Sequence, residues 1–348
     1  IQGFNTCFWI MYTIYYYHNL KQRTGGCFVK SEELIELLQN HKVYIQTHNF
    51  PDPDAIASAF GLQNFLKYYG IESTLCYYGK IDKLSTKRML TTFDIQIYSK
   101  DELQNMKDED YIVNVDSQKH NGNVMDFIGE EVACIDHHPT FVEADYQYKD
   151  IRMVGACATL IAEYFKMNHV PIDPNTAAAL CYGIKVDTAD FSRGVTDLDV
   201  SMFAYLYHHA DKDKFSSMFA NTMEFQDLKA YGAAIETIQI CEHTGFSYIP
   251  FDCPDALVGM ISDFILALNV VDVSVVYANR DNGLKFSVRS EVKEVNAGKI
   301  TYEALKGIGS GGGHQAMAGG AVYSEYMCKL EPDIHASIRK RFMNAIGR

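Results

Sequence analysis

The sequence predicts an α/β protein whose N-terminal part is built around a parallel β-sheet. After about residue 30, short apolar runs alternate with amphipathic segments, and short polar connections separate them. This alternation is typical of βαβ units, in which successive strands are parallel. Several apolar runs also end on Asp or His residues, and ligands of parallel α/β sheets bind at the carboxyl ends of the strands.

The individual elements follow from apolar spacing and from capping residues. Ser31 is suited to cap a helix whose first turn contains Glu32 and Glu33, where the helix dipole favours acidic groups. The runs predicted to be strands are Val43–Thr47, Ser73–Tyr78, Tyr111–Val115 and Val132–Ile135. The segments with helical periodicity are Asp54–Tyr69, Ala158–Met167 and Thr176–Lys185.

The length of 348 residues exceeds the size at which single hydrophobic cores stop growing, so we expect two domains. We predict an N-terminal extension over residues 1–27, a metal-binding domain over 28–200, a helical connector over 201–235 and a smaller α/β domain over 236–348. The smaller domain is expected to contain the strands Phe246–Ile249, Val273–Asn279 and Lys285–Ser290, followed by a terminal helix over Asp333–Ala345.

Charge and cysteine usage narrow the classes of function. A net charge of −13 argues against sequence-independent binding to duplex nucleic acid, which needs clustered Lys and Arg. Nine cysteines without a CxxC pair suit reduced thiols in a cytoplasmic protein. The aromatic run Cys7–Tyr17 is too short to cross a bilayer, and no other long apolar run occurs, so we expect no membrane span.

Acidic and imidazole side chains are concentrated in four separated segments. These are His48-Asn49-Phe50-Pro51-Asp52-Pro53-Asp54, Asp116, Asp136-His137-His138 and Asp187. Carboxylates and imidazoles are suitable ligands for Mn²⁺ or Mg²⁺, and two such ions about 3.5–4 Å apart cleave phosphate esters. Any one of these Asp residues alone is more typical of a helix cap or a turn than of a metal ligand. Their joint occurrence favours a two-metal phosphoesterase.

Taken together, these segments resemble the motifs of the DHH phosphoesterase superfamily, in the branch with a C-terminal DHHA1 domain. The matching segments are His48-x-x-Pro51-Asp52-x-Asp54, Val115-Asp116-Ser117, Asp136-His137-His138 and Gly183-x-x-x-Asp187, followed by Gly311-Gly312-Gly313-His314. The pattern is similar to that of the oligoribonucleases that also act as phosphatases. Pro53 departs from the Gly usual in the family, which affects the turn and not the ligands.

The resemblance implies a role for each acidic and imidazole residue. The first ion would be held by His48, Asp52 and Asp116. The second ion would be held by Asp54, Asp116, His137 and Asp187. A water or hydroxide shared by the two ions would attack the phosphoryl group in line, and His138 would stabilise the charge that develops there.

The resemblance also implies that the second domain closes over the first, so that the active site lies in a cleft between them. Arg289 and His314 would grip the phosphate or nucleotide of the substrate, and the backbone N–H groups of Gly311, Gly312 and Gly313 would approach an anion closely. Arg193, which follows the fourth motif, is a further candidate for phosphate binding.

The expected function is hydrolysis of small nucleotides with two Mn²⁺ ions, for which Mg²⁺ or Co²⁺ are possible substitutes. The expected substrates are short single-stranded oligoribonucleotides, linear dinucleotides or 3′-phosphoadenosine 5′-phosphate, and a homodimer is an expected assembly. Two activities of the same fold remain alternatives, a cyclic-dinucleotide phosphodiesterase and an exopolyphosphatase. A non-catalytic nucleotide-sensing module is the alternative from another class.

Overall fold

The structure, a computed structural model, describes residues 31–81, 83–220, 223–281, 283–330 and 332–347. The predicted N-terminal extension, residues 1–27, lies outside the described residues. The chain divides into two compact units, with the boundary between residues 222 and 223. The residues predicted to form a connector, 201–235, therefore fall on both sides of this boundary.

The first unit alternates strands and helices along the chain, as the sequence predicts. Its first half contains α1 (Ser31–Leu38), β1 (Val43–Gln46), α2 (Pro53–Tyr68), β2 (Ser73–Tyr77), α3 (Leu84–Thr92), β3 (Tyr98–Ser99) and β4 (Tyr111–Val115). Its second half contains β5 (Glu130–Asp136), β6 (Tyr148–Ile151), α4 (Cys157–Met167), α5 (Pro174–Asp187), α6 (Asp197–His209) and α7 (Lys212–Ser217).

The strands of the first unit form one sheet in the order β3-β2-β1-β4-β5-β6. All neighbouring strands are parallel, which confirms the predicted parallel sheet. The chain winds outward from β1 in one direction and from β4 in the other, so the strand order reverses between these two neighbours. In open α/β sheets, ligands bind outside the carboxyl ends of the strands at such a reversal.

The two faces of this sheet are covered differently. Val43 and Ile45 of β1 belong to the main core, which α2, α4 and α5 share, whereas Tyr44 belongs to a smaller cluster on the other face. A glycine in α2 brings the helices of the main core close together. A Cβ atom on Gly61 would lie 2.9 Å from side-chain carbons of both Ile161 and Leu180, so α2 packs directly against α4 and α5 at this point.

The second unit contains α8 (Asp227–Thr237), β7 (Gln239–Cys241), β8 (Thr244–Ile249), α9 (Asp255–Leu266), β9 (Val273–Arg280), β10 (Gly283–Ser290), α10 (Ala297–Leu305), β11 (Gly309–Gly313), β12 (Met317–Val322) and α11 (Ile334–Ile346). Its sheet has the order β11-β12-β10-β9-β8-β7. Only the β8–β9 pair is parallel, and the other neighbours are antiparallel. The three strands predicted for this part of the chain are present, so the predicted smaller α/β region is confirmed.

The glycine-rich segment forms the edge strand β11, which packs against α10. A Cβ atom on Gly311 would lie 2.7 Å from Cγ2 of Thr301 and 3.0 Å from its carbonyl oxygen. A Cβ atom on Gly312 would meet nothing within 4 Å. Gly311 is therefore required by the contact with the helix, whereas Gly312 is not.

None of the helices in the described part of the chain combines the length and the hydropathy that a membrane span requires.

Candidate metal centre

His48 lies two residues beyond the end of β1, on the strand-order reversal. Its Nδ1 atom is 2.8 Å from the carbonyl oxygen of Asn49. A neutral imidazole whose Nδ1–H donates to a carbonyl keeps a lone pair on Nε2, the arrangement found in metal-binding histidines. Nε2 of His48 lies 3.8 Å from Oδ1 of Asp52 and 3.7 Å from Oδ2 of Asp116. Nε2, the atom that would bind a metal once the ring is neutral, is thus directed at two carboxylates.

Asp52 and Asp54 are placed by the N-terminus of α2. Asp52 caps the helix, because its Oδ1 accepts hydrogen bonds from the N–H groups of Asp54 at 3.0 Å and Ala55 at 3.1 Å. Pro53 occupies the first helical turn, where its fixed φ and missing N–H do no harm. The oxygen of Asp52 that caps the helix, Oδ1, is also the one that lies 3.8 Å from Nε2 of His48, and the cap leaves the second carboxylate oxygen unused.

The carboxylate of Asp54 is buried between α2, α4 and α5. It accepts hydrogen bonds from the first N–H groups of α4, those of Cys157 at 2.7 Å and Ala158 at 3.1 Å. The N-terminus of α4 thus stabilises the charge of Asp54. A glycine in α5 leaves room for it, since a Cβ atom on Gly183 would lie 3.0 Å from Oδ1 of Asp54.

Asp116 follows β4 directly and has a φ of 58°, a left-handed conformation that Asp tolerates better than most residues. Its Oδ1 atom is buried and accepts no hydrogen bond from the described residues. That oxygen lies 3.2 Å from Nε2 of His137. The two oxygens of Asp116 therefore face different histidines, Oδ1 toward His137 and Oδ2 toward His48.

His137 and Asp187 complete the cluster from β5 and α5. Nδ1 of His137 is 3.0 Å from the carbonyl oxygen of Val154, which again leaves Nε2 as the ligand atom. Nε2 lies 3.3 Å from Oδ2 of Asp187 and 4.0 Å from Oδ2 of Asp54. Asp187 is the last residue of α5, so the helix end brings its carboxylate to the carboxyl edge of the sheet.

These side chains form two groups, His48–Asp52–Asp116 and Asp54–His137–Asp187. Within each group, the ligand atoms lie within 4.8 Å of one another. A further group joins Asp116 and His137 to His138. Ligand atoms at right angles around an ion, each about 2.1 Å from it, are about 3 Å apart. The observed separations of 3.2–4.0 Å fit a site that tightens slightly around hard divalent cations.

The charges of the cluster are poorly balanced by the chain itself. Burial and the charges of Asp116 and Asp187 raise the pKa of Asp54, and burial raises the pKa of Asp187 to about 6. Burial alone would lower the pKa of His48 and His137, but the surrounding carboxylates outweigh it and raise these pKa values to about 9 and about 11. Buried carboxylates that repel one another in this way are the environment that bound cations stabilise.

His138 is oriented by Asp136 and Gln118, two residues to which the sequence motifs assigned no role. Its Nδ1 atom lies 2.9 Å from Oδ1 of Asp136, which raises the pKa of His138. Nε2 of Gln118 donates to Oδ2 of Asp136 at 2.6 Å and to the carbonyl oxygen of His138 at 3.0 Å. The His138 side chain is 48% exposed, so Asp136 and Gln118 fix a ring whose outer edge is open to solvent.

Asp199 is a second buried carboxylate whose role the sequence did not reveal. It accepts hydrogen bonds from the N–H of Gly155 at 2.8 Å, from Oγ1 of Thr159 at 2.6 Å and from Oγ1 of Thr196 at 2.6 Å. Gly155 follows Val154, whose carbonyl oxygen lies against His137. The only signal in the sequence is the capping-box spacing of Thr196 and Asp199.

Arg193 lies beside the cluster. Its Nη2 atom donates to the carbonyl oxygen of Asp187 at 2.8 Å and lies 3.7 Å from Oδ1 of the same residue. The guanidinium therefore adds positive charge at the edge of the centre. Its predicted contact with a substrate phosphate remains a prediction.

In the second unit, the predicted substrate-binding residues lie on neighbouring strands. Arg289 of β10 pairs in register with Met317 of β12, and Gly313 of β11 pairs with Ala318. Nε of Arg289 donates to Oδ1 of Asp263 at 2.6 Å. His314 is exposed, and its backbone N–H donates to the carbonyl oxygen of Met317 at 2.7 Å. Arg289 and the segment Gly311–His314 are thus at one end of the same sheet.

Comparison with known families finds two domains in the chain. The N-terminal domain of the DHH family matches residues 42–184, and the DHHA1 domain matches residues 244–338. An uncharacterized protein of Methanocaldococcus jannaschii is 25% identical over 315 residues, which cover 87% of this chain and 64% of that protein. A probable manganese-dependent inorganic pyrophosphatase of Streptococcus thermophilus is 25% identical over 150 residues, 42% of this chain and 48% of that protein. The chain thus spans less than two thirds of either relative.

Two solved structures share the fold at low sequence identity. An exopolyphosphatase-related protein of Bacteroides fragilis superposes with a TM-score of 0.71 at 19% identity, covering 90% of this chain and 96% of that one. Exonuclease RecJ bound to manganese superposes with a TM-score of 0.51 at 14% identity, covering 90% of this chain and 93% of that one.

Proposed function

Because the chain belongs to the DHH family of metal-dependent phosphoesterases and carries a DHHA1 domain, we propose that it hydrolyses phosphate esters of small nucleotides. The substrates would be short single-stranded oligoribonucleotides, linear dinucleotides or 3′-phosphoadenosine 5′-phosphate. The observation that carries this proposal is the position of Asp116, which lies where the strand order of the sheet reverses. Its carboxylate belongs to the group of His48 and Asp52, and its Oδ1 atom lies 3.2 Å from Nε2 of His137 in the second group. A net charge of −13 further favours a small substrate over duplex nucleic acid.

We propose Mn²⁺ as the metal, with Mg²⁺ or Co²⁺ as substitutes. The first ion would be held by His48, Asp52 and Asp116. The second ion would be held by Asp54, Asp116, His137 and Asp187. Two divalent cations held by these residues would supply positive charge to the phosphoryl oxygens and would lower the pKa of water.

The residues around the metal ligands would then orient the substrate. His138, whose Nδ1 atom is held by Asp136, would direct its exposed ring edge at a phosphoryl oxygen and donate a hydrogen bond there. A donor aimed at developing negative charge contributes about 10²–10³-fold to the rate in other hydrolases. Arg193 would add positive charge beside Asp187.

The second unit would supply the recognition of the nucleotide. Arg289 and His314 would bind the substrate's phosphate or base, and the backbone N–H groups around Gly312 would approach an anion. The absence of any described atom within 4 Å of a Cβ position on Gly312 supports this assignment, because the backbone is open there.

Inorganic phosphate chains are the second candidate substrate. The specific observation in its favour is the relative from Streptococcus thermophilus, described as a probable manganese-dependent inorganic pyrophosphatase. The match covers 42% of this chain, however, whereas the DHHA1 domain occupies a separate part over residues 244–338. A nucleotide carries a base for this second domain to bind, whereas an inorganic phosphate chain does not.

The experiment that tests the proposal is a substrate panel assayed with Mn²⁺. It would compare a linear dinucleotide, a longer single-stranded RNA, a cyclic dinucleotide, 3′-phosphoadenosine 5′-phosphate and polyphosphate, with the Asp116→Ala variant as the control for contaminating activity. We expect the highest kcat/KM for the linear dinucleotide or the bisphosphorylated adenosine. A preference for polyphosphate would support the second candidate instead. Nucleotide binding without hydrolysis of any substrate would support a sensing module.

A further inference from the structure

Phe50 lies between two of the candidate metal ligands, His48 and Asp52, in a conformation that Phe disfavours. Its φ is 56°, in the left-handed region where Gly, Asn and Asp are the usual residues. Bulky residues are outliers there, and such strained positions cluster at functional sites. The side chain is nevertheless 61% exposed, so burial of the ring cannot be the main reason for having Phe at this position.

The surrounding loop holds this conformation from both sides. The N–H of Phe50 donates to the carbonyl oxygen of Tyr78 at 2.9 Å, and the N–H of Asn49 donates to the carbonyl oxygen of Asn123 at 2.6 Å. The side chain of Asn49 also accepts a hydrogen bond from the N–H of Met125 at 2.9 Å. The backbone that carries the ring is therefore held by hydrogen bonds to the chain segments that follow β2 and β4.

A glycine supports the ring from beneath. A Cβ atom on Gly79 would lie 2.7 Å from both Cδ1 and Cε1 of Phe50, so the ring rests against the backbone of residue 79. Gly79 itself has a φ of 93°, which also favours Gly. The result is an aromatic surface that is supported by backbone and open to solvent.

We propose that Phe50 is a stacking platform for a nucleobase of the substrate. This inference rests on the proposed nucleotide hydrolysis and makes it more specific. Two residues of chain, at most about 7 Å, separate Phe50 from His48 and from Asp52, so a base on the ring lies near the phosphate at the metal centre. Stacking on an aromatic side chain accepts any base, because every base has a π-face. Polyphosphate has no ring and gains nothing from Phe50.

The main test compares Phe50→Leu, which keeps apolar volume without a flat ring, with Phe50→Tyr, which keeps the ring. Both would be assayed on a linear dinucleotide and on its abasic analogue. For the dinucleotide, Phe50→Leu is expected to lower kcat/KM by about 5- to 140-fold, the factor that stacking of one base supplies. The loss on the abasic analogue should be much smaller, and Phe50→Tyr should restore the dinucleotide. Equal losses on both substrates would overturn the proposal.

The melting temperature of a Phe50 variant distinguishes a role of Phe50 in binding from a role in folding. Asn is better suited to the left-handed region than Phe, so Phe50→Asn is expected to raise Tm while weakening turnover of the dinucleotide. If Phe50 served only the fold, the same change would lower Tm and reduce turnover of dinucleotide and abasic analogue equally. That result would contradict the proposal.

A binding measurement distinguishes failure of this inference from failure of the proposed function. The chain has a single Trp, Trp9, so Phe50→Trp adds one indole whose signal is obtained by subtracting that of the parent protein. Titration with adenosine monophosphate should quench the added fluorescence, and ribose 5-phosphate should not. Absence of quenching, or dinucleotide hydrolysis that is the same in Phe50→Leu and the parent, would overturn the platform and leave the proposed function standing. Quenching without hydrolysis of any nucleotide would overturn only the proposed function.

Discussion

The Nε2 atom of His137 lies 3.2 Å from Oδ1 of Asp116, across the gap between the ends of β5 and β4. Oδ2 of the same carboxylate lies 3.7 Å from Nε2 of His48. One side chain therefore faces both groups of candidate ligands. For this reason, the two-metal hypothesis depends on Asp116 more than on any other residue described above.

Replacing Asp116 by Asn tests the shared ligand with almost no change in shape. We expect the bound metal to fall to one ion or fewer per chain. Turnover should fall about 1,000-fold or more, because an ion contributes several kcal/mol of charge stabilisation. Asp173→Asn is the matched control, since Asp173 caps α5 and Asn is an equally good cap. An Asp116→Asn variant that keeps two ions and full turnover would show that Asp116 is not shared.

Asp136→Asn tests whether His138 acts through its orientation and charge. Asn keeps the shape of Asp136 but removes the negative charge that lies against Nδ1 of His138. We expect kcat to fall about 10- to 100-fold, the usual effect of losing a partner that orients an active-site imidazole, with the metal content unchanged. Metal analysis and steady-state kinetics on the same sample would check this. An unchanged kcat would mean that His138 needs no such partner.

Metal affinity should increase with pH. In the metal-free protein the pKa values of His48 and His137 are raised to about 9 and about 11, so both rings are positively charged imidazolium ions at pH 7. A metal binds the neutral ring, and each ion must displace a proton. Calorimetric titrations with Mn²⁺ at pH 6.5, 7.5 and 8.5 should show tighter binding at each step and proton release to the buffer. Affinity that does not change over this range would contradict the protonated state.

Gly311 and Gly312 are predicted to tolerate Ala very differently. In Gly311→Ala the new methyl group would meet Thr301 of α10, so we expect a loss of about 1–3 kcal/mol in the free energy of unfolding. Gly312→Ala has open space and should leave stability nearly unchanged, while raising KM for a nucleotide if an anion approaches this backbone. Chemical denaturation and kinetics would separate the two effects. Equal destabilisation by both changes would refute the packing explanation.

The sequence predicted the clustered acidic and imidazole residues because their positions depend on local rules. His48, Asp116 and His137 each come at the end of a parallel strand, and parallel strands place such residues at one edge of the sheet. The bounds of β4 were predicted without error, and those of β1 and β5 within two residues. These strands are short apolar runs with clear ends.

The residues that hold the ligands in place could not be predicted in the same way. The N–H groups of Cys157 and Ala158 bind Asp54 from more than 100 residues away, and Asp199 fixes the segment next to Val154 through tertiary packing. No local pattern encodes these contacts.

The helix α9 was not predicted from the sequence, because Gly259 and the β-branched residues of this helix weaken the helical signal. The strand β11 has almost no side chains from which a period could be read.

The most direct test of the central claim is the number of metal ions bound by the intact protein, measured by elemental analysis after equilibration with Mn²⁺ and removal of the excess. The arrangement around Asp116 predicts two ions per chain, with the Asp173→Asn control also binding two and Asp116→Asn binding one or fewer. A parent protein that binds one ion or none under saturating Mn²⁺ would contradict the two-metal centre.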